Sequence, residues 1–269
     1  MYASSYETRL AADVHRTTLE ERADVLDFRA RMYGARSAFA DPAWVRWLYD
    51  EVPTHRGRPA LWVFRRAGAI HGQIGAIRAR VRAGAVERDL AWALDLMISP
   101  EQRMRGAGAL LPKIARDASE VVGGTEVSDA ARKAFARAGW QQHGSLPRWV
   151  RPVRGAFVRA RSDVPLARLL GRGLDAGARA LGAIGVARSR GRRLVSIPAF
   201  DDRADLVWQN VGARWPVIVR RDRAWLAWRW DACPDRRGAR AFYMERRGEV
   251  VGWVVLRTGE ERGLRAGYV

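Results

Sequence analysis

Apolar residues between positions 60 and 98 come in short strand-like runs broken by polar turns. LWVFRRAGAIHGQIGAIRAR (61–80) sets two such runs about a basic pair and Gly68, the pattern of a β-hairpin. AFYMERRGEVVGWVVLR (241–257) repeats it, with Gly68/Gly248 and Gly72/Gly252 in register. Upstream of each hairpin lies a tryptophan-rich stretch, AWVRWLYDEVPTHRG (43–57) and AWLAWRWDACPDRRG (224–238). The two are identical at seven of fifteen positions, at an offset of 181. Trp44, Trp47 and Leu48 recur at helical spacing, as do Trp225, Trp228 and Arg229. Each copy therefore predicts a helix that lays aromatics on its own sheet and ends by Pro53 or Pro234.

A repeat near 180 residues is too long for a solenoid and indicates two copies of one domain. The second copy opens with a helix-like stretch, DDRADLVWQNVGARW (201–215), and runs to RGLRAGYV (262–269) without a counterpart of residues 95–108. It is expected to form its own partial sheet with an unpaired edge and to hold no ligand loop.

Between the two tryptophan-rich stretches, LAWALDLMISPEQRMRGAGALLPKIARDA (90–118) reads as a strand over 90–98, a polar turn from Ser99 to Arg105, and a helix from Ala107 with Leu110, Leu111, Ile114 and Ala115 on one face. The turn carries Arg103-x-x-Gly106-x-Gly108. Glycines there allow close backbone approach at a helix start whose first N–H groups lack partners, and the helix dipole adds to the charges of Arg103 and Arg105. Such an end suits an anion, and a pyrophosphate is the natural guest. Neither the Walker loop nor the dinucleotide glycine pattern is present here.

A further segment, VPLARLLGRGLDAGARALGAIGVARSRGRR (164–193), places Leu166, Leu169, Leu170, Leu174, Leu181 and Ile184 near helical period, with Arg168, Arg172 and Arg179 close to another face. Five glycines between 171 and 185 each weaken a helix by up to ~1 kcal/mol relative to alanine, so this basic amphipathic arm needs a partner surface. Packing on a module as a connecting arm is the expected reading, and peripheral contact with an anionic membrane through 164–193 is the functional alternative.

Composition sets limits on these readings. At 269 residues and 48% hydrophobic, the chain can bury the core of one to two domains. Cys233 is the sole cysteine, so no intrachain disulfide forms, and MYASSYETRL lacks a signal peptide's apolar core; a cytoplasmic location is expected. The net charge of +19 is uneven: residues 151–193 carry +9 of it, and 46 of 48 basic residues are arginine. With alanine and glycine also abundant, this reads as a solvated basic surface and argues against a nucleic-acid partner.

LDLMISPEQRMRGAGALL resembles the acyl-CoA pyrophosphate motif of the GNAT N-acetyltransferases, in which a strand leads to [QR]-x-x-G-x-[GA] and then a helix. VSDAARKAFARAGWQQHG (127–144) is similar to the family's segment whose helix opens at Asn and ends in Tyr-x-x-x-Gly-Phe, with Ser128 at the Asn position and Phe135 at the Tyr position. The resemblance implies an α+β fold, the GNAT acyl-CoA N-acyltransferase fold, over residues 1–153. A basic helical arm or linker (154–193) and a partial second GNAT-like module (194–269) would follow. It implies acetyl-CoA as cosubstrate, with Leu96, Met97 and Ile98 pairing with the pantetheine arm. The backbone of Arg103, Met104, Arg105, Gly106, Ala107, Gly108 and Ala109 would hold the pyrophosphate, and Ser128 would join the cofactor site.

The resemblance also implies acetyl transfer to a primary amine, an amino sugar or other small molecule among the acceptors. Trp92 and Phe135 occupy the family's Glu and Tyr positions, which leaves Asp95, Glu126 and His71 as candidates for proton transfer, Asp95 and Glu126 ahead. No metal is implied. The alternatives are an acyl-CoA-binding module without catalysis and an aminoacyl transferase like the tandem-GNAT peptidoglycan enzymes. The acceptor and the oligomeric state are not legible in the sequence.

Overall fold

A computed structural model describes residues 5–54, 57, 59–147, 165–189, 191–261 and 264–269. The chain divides into two compact units that do not follow chain order: Met1–Gly144 with Trp208–Asp235, and Ser145–Val207 with Arg236–Val269. The predicted boundary at 153–154 lies outside the described residues, and the one at 193–194 falls within a strand, Arg192–Ile197.

The first unit is built on a six-stranded, mostly antiparallel sheet. Its main path runs β1 (Val14–Arg16), β2 (Leu61–Arg66), β3 (Ala69–Ala83), β4 (Val86–Ile98) and β5 (Val121–Gly123), with only β4 and β5 parallel. Helices cover both faces. On one side α1 (Ser5–Ala12), α4 (Ala107–Asp117) and α5 (Asp129–Arg137) enclose Leu10, Trp62, Phe64, Ile74, Leu111 and Phe135. On the other, α2 (Arg22–Tyr33) and α3 (Pro42–Tyr49) bury Val25, Phe28, Val45, Trp47, Leu48 and Tyr49 against Leu61 and Val63. The period-2 alternation of strands sends neighbouring residues to these two cores.

Local chemistry explains the element ends. Asp41 caps α3 by accepting from the Ala43 N–H, and Pro42 fills the first helical position, where no N–H is needed. The β2–β3 turn has positive φ at Ala67 and Gly68, the backbone of a type I′ turn.

In the second unit, β6 (Arg192–Ile197), β8 (Ala239–Arg246), β9 (Glu249–Glu261) and β10 (Leu264–Tyr268) form a four-stranded antiparallel sheet in the order β10-β9-β8-β6. Its register repeats that of β1 to β3. Val14 opposite Phe64 recurs 180 residues on as Leu194 opposite Met244, and Leu61 opposite Gly75 recurs as Ala241 opposite Val255. Even the bulge recurs, between Phe64 and Arg65 and between Met244 and Glu245, as do the positive φ values at Arg247 and Gly248.

Two short elements from 201–235 depart from the expectation of a separate second sheet. β7 (Val217–Val219) joins the first sheet beside Val81–Ala83. β2 pairs with β3 only as far as Gly75; beyond it the Ala76 N–H donates to the Ala60 carbonyl, the Arg78 carbonyl accepts from the Thr54 hydroxyl, and β7 pairs with the last three residues of that edge. The second tryptophan-rich helix, α8 (Arg223–Leu226, continuing as a π-helical turn Ala227–Asp231), likewise contributes Trp228 to the core under α2 and α3 instead of packing on a sheet of its own repeat. Asp222 caps it by accepting from the Trp225 N–H. Two longer helices complete the described chain, α6 (Pro165–Arg188) and α7 (Arg203–Gly212).

Candidate active site

β4 and β5 pair only from Leu90 to Trp92. β5 ends at Gly123, and the chain turns through Gly124 and Glu126, at φ +55°, into α5. β4 continues to Ile98, so among the described residues no strand pairs with its β5-side edge from Ala93 onward. Leu96 and Ile98 turn their side chains to the α4 core and Met97 turns to the α2–α3 core. Side-chain packing therefore leaves this edge with backbone N–H and C=O groups to offer.

The strand runs into the glycine-bearing turn. The Ser99 N–H donates to the His71 carbonyl, a 3-10 turn spans Pro100–Gln102, and the Arg103 Nε donates to the Ile98 carbonyl at 3.4 Å. Met104 lies at φ +61° and Gly106 at φ +90°, ψ −28°, a left-handed cap. Gly106 has no side chain to cap α4, so the N–H groups of Ala107 and Gly108 at its first turn have no helical acceptor. The Ala109 N–H differs from the expectation of an anion contact: it donates to the Gly106 carbonyl at 3.0 Å. A Cβ at Gly108 would meet only Ile98, at 3.7 Å, so the protein's own packing does not require glycine there. Arg103, Met104 and Arg105 are exposed.

Asp95 sits at a bulge. The β3–β4 register slips between Gln73 and Gly75, and Asp95 has φ +55°. Its carboxylate lies on the α2–α3 face, where Oδ1 accepts from the Tyr33 hydroxyl (2.8 Å) and Oδ2 from the Tyr49 hydroxyl (2.7 Å) and the Arg29 Nη1 (2.7 Å). The Arg29 side chain is wholly buried. Burial works against its charge, but Tyr49 and Asp95 more than offset this and hold it protonated. Burial, reinforced by the Asp95 charge, pushes both tyrosines well above the usual phenol range. Gly75 makes the cage possible, because a Cβ there would lie 2.2 Å from the Tyr49 hydroxyl. Two residues along the same strand, the fully buried Gln73 finds no partner for either amide atom among the described residues.

The other candidates fall elsewhere. Glu126 is exposed on the β5–α5 connection, and Ser128 caps α5 by accepting from the Ala131 N–H. His71 Nδ1 lies 3.3 Å from the Ser99 hydroxyl; the Ser99 hydrogen bond to Glu101 holds that exposed carboxyl below its usual range. Trp92 packs against the buried cluster of Ala79, Val81 and Leu90, and a Cβ at Gly123 would meet its ring at 3.2 Å. Phe135 is buried edge-on against Trp140, ring centroids 4.6 Å apart. Arg29, Tyr33 and Tyr49 were not anticipated; a glycine at 75 inside an otherwise apolar strand was the one local sign of a close approach. Among the described residues, no group of three or more His, Cys, Asp or Glu side chains is placed to hold a metal.

No protein-family model and no curated protein sequence matches the chain. Solved structures do. A GCN5-related N-acetyltransferase from Anabaena variabilis superposes at a TM-score of 0.60 with 10% identity, covering 94% of this chain and 56% of that one. A conserved protein of unknown function from Enterococcus faecalis gives 0.56 at 13% identity, over 91% and 55%. A GCN5-related N-acetyltransferase from Kribbella flavida gives 0.53 at 14% identity, over 94% and 55%. The chain thus spans just over half the length of these three. Its splayed β4–β5 pair, the turn into a glycine-capped α4 and these superpositions make the fold that of the GCN5-related N-acetyltransferases, the GNAT fold.

Proposed function

We propose that the protein is an N-acyltransferase that moves an acetyl group from acetyl-CoA to a primary amine by direct attack. The observation that carries this reading is the unpaired β4 edge from Ala93 to Ile98, leading without interruption into the Gly106-capped start of α4. The strand edge pairs with the amide groups of the pantetheine arm, and the N–H groups from Met104 to Gly108 take the pyrophosphate, the Arg103 N–H already donating to the Pro100 carbonyl. A β4 N–H polarises the thioester carbonyl. The amine nitrogen attacks that carbonyl carbon, the C–S bond breaks, and CoA leaves as thiolate.

With Trp92 and Phe135 packed in cores, neither supplies a proton. The amine's proton leaves to water or to the exposed Glu126, and the thiolate is protonated by solvent. Asp95, with three donors on its carboxylate, fixes the bulge that aims the strand edge and is a positioning residue.

The 180-residue recurrence of register supports reading residues 194–269 as a second GNAT-like copy, with catalysis in the first, 1–153. One acetyl-CoA is expected per chain. Isothermal titration with acetyl-CoA, followed by thiol release against a panel of amino sugars, polyamines and peptides, tests the proposal. Absence of acetyl-CoA binding removes it. Binding without thiol release from any amine supports the second reading, a non-catalytic acyl-CoA-binding module, which the burial of Phe135 at the family's acid position favours.

A further inference from the structure

The acyl-transfer reading makes no use of α6, the basic helix Pro165–Arg188. Between residues 173 and 185 no position is buried, and three large apolar side chains stand in solvent: Leu174 at 42%, Leu181 at 59% and Ile184 at 49% exposure. A methyl group added at Gly173, Gly177, Gly182 or Gly185 would meet nothing within 4 Å. The surface that this glycine-weakened helix was expected to need is therefore not supplied along its described face.

At about 100° per residue, Leu174, Leu181 and Ile184 fall within an arc of roughly 80°, and the same period continues in sequence to Leu170 and Leu166. Arg179 lies on the opposite side, with Asp175 one turn before it. The sequence of the helix carries Arg168, Arg172, Arg179 and Arg188 against Asp175, a net +3, within the 151–193 segment that holds +9 of the chain's +19 charge. No described helix is long and apolar enough to cross a membrane.

We propose that α6 is an interfacial anchor that lies flat on an anionic lipid surface. Leu174, Leu181 and Ile184 enter the acyl boundary, while the arginines meet the headgroups. Charge complementarity selects an anionic surface over a neutral one. The apolar row selects lipid over nucleic acid, since a polyanion in water would neutralise the arginines and leave the leucines exposed. The surface is identified by its chemistry, anionic headgroups over hydrocarbon, and the inference stands whether or not the protein transfers acyl groups.

The test uses the full chain and vesicles of phosphatidylcholine with or without phosphatidylglycerol. Co-sedimentation is expected with the anionic vesicles alone, weakening as salt rises, together with a gain in helical circular dichroism. Leu174→Glu with Leu181→Glu should cut binding about tenfold or more while leaving the thermal unfolding midpoint unchanged. Arg179→Glu should weaken it less. Equal binding to both vesicle types, or anionic binding that the double leucine variant retains, overturns the proposal. So does duplex DNA binding that outcompetes vesicles, or a concentration-dependent dimer that the leucine variant abolishes, since either gives the face another occupant.

Discussion

Trp47 and Trp228 exchange hydrogen bonds: each indole N–H donates to the other's backbone carbonyl at 2.8 Å, and the rings stack at 5.0 Å with 17° between planes. They are 181 residues apart, the offset of the tryptophan-rich repeat. The flanking pairs match as well, Trp44–Trp47 at 5.0 Å and 55°, Trp225–Trp228 at 4.8 Å and 51°. The two motif copies therefore meet about a local two-fold axis, as identical patches meet in an isologous dimer. A self-complementary contact needs the same residues at the contact on both sides, which accounts for a tryptophan at both 47 and 228.

Trp228→Ala should destabilise the protein by about 3–5 kcal/mol, and Trp228→Phe, which keeps an apolar ring but loses the donor, by about 1 kcal/mol or somewhat more. In urea unfolding, Trp47→Phe and Trp228→Phe should be non-additive by about 0.5–1.5 kcal/mol. Strict additivity would mean that the stack carries no pairwise energy.

Gly106→Val should abolish acetyl-CoA binding with the fold retained, because a β-branched residue resists φ +90° and its side chain would crowd the N–H groups of the turn. Arg103→Ala should weaken binding by less than tenfold, since backbone groups supply most of the proposed contacts. Calorimetry on folded variants decides it: unchanged affinity in Gly106→Val refutes the loop assignment.

Asp95→Asn should lower stability by about 3 kcal/mol or more, since it leaves the buried Arg29 guanidinium without its counter-charge. Gly75→Ala should act through the same cage by displacing the Tyr49 hydroxyl, at about 1–3 kcal/mol. Neither should alter the pH profile of thiol release in the folded fraction. A profile that loses its acidic limb in Asp95→Asn would instead make Asp95 the base.

Tyr33 and Tyr49 have folded pKa values raised above the ordinary 10.0 by burial and then by Asp95. Above pH 10 the folded state retains phenolic protons that the unfolded chain gives up, so stability falls as pH rises. Their contribution is fully present below pH 10 and is lost on the alkaline side, with no counterpart in acid. Phenolate absorbance should show these two tyrosines ionising together with unfolding. Free titration of all six tyrosines near pH 10 in the native state would refute the cage.

Much of the first sheet was legible because its signals are local. A β-hairpin announces itself by alternation around a turn that needs positive φ, and both Ala67–Gly68 and Arg247–Gly248 occupy such turns. The strand over 90–98, the glycine turn and the helix from Ala107 follow from residues within a few positions of one another. The recurring tryptophan stretches were also plain in the sequence, but not what they were for.

Tertiary structure decided the rest. The Asp95 carboxylate could have faced an incoming amine; a bulge turned it toward Arg29, 66 residues away, and two tyrosines. Phe135 could have lined the cleft and instead meets Trp140 in the core. β7 paired with the end of β3 in the first sheet, and Trp228 stacked on Trp47 instead of serving its own repeat. Periodicity fixes which face of an element is apolar, because that depends on neighbours a few residues off. Which distant surface covers that face depends on the geometry of the whole chain and leaves no mark at any single position.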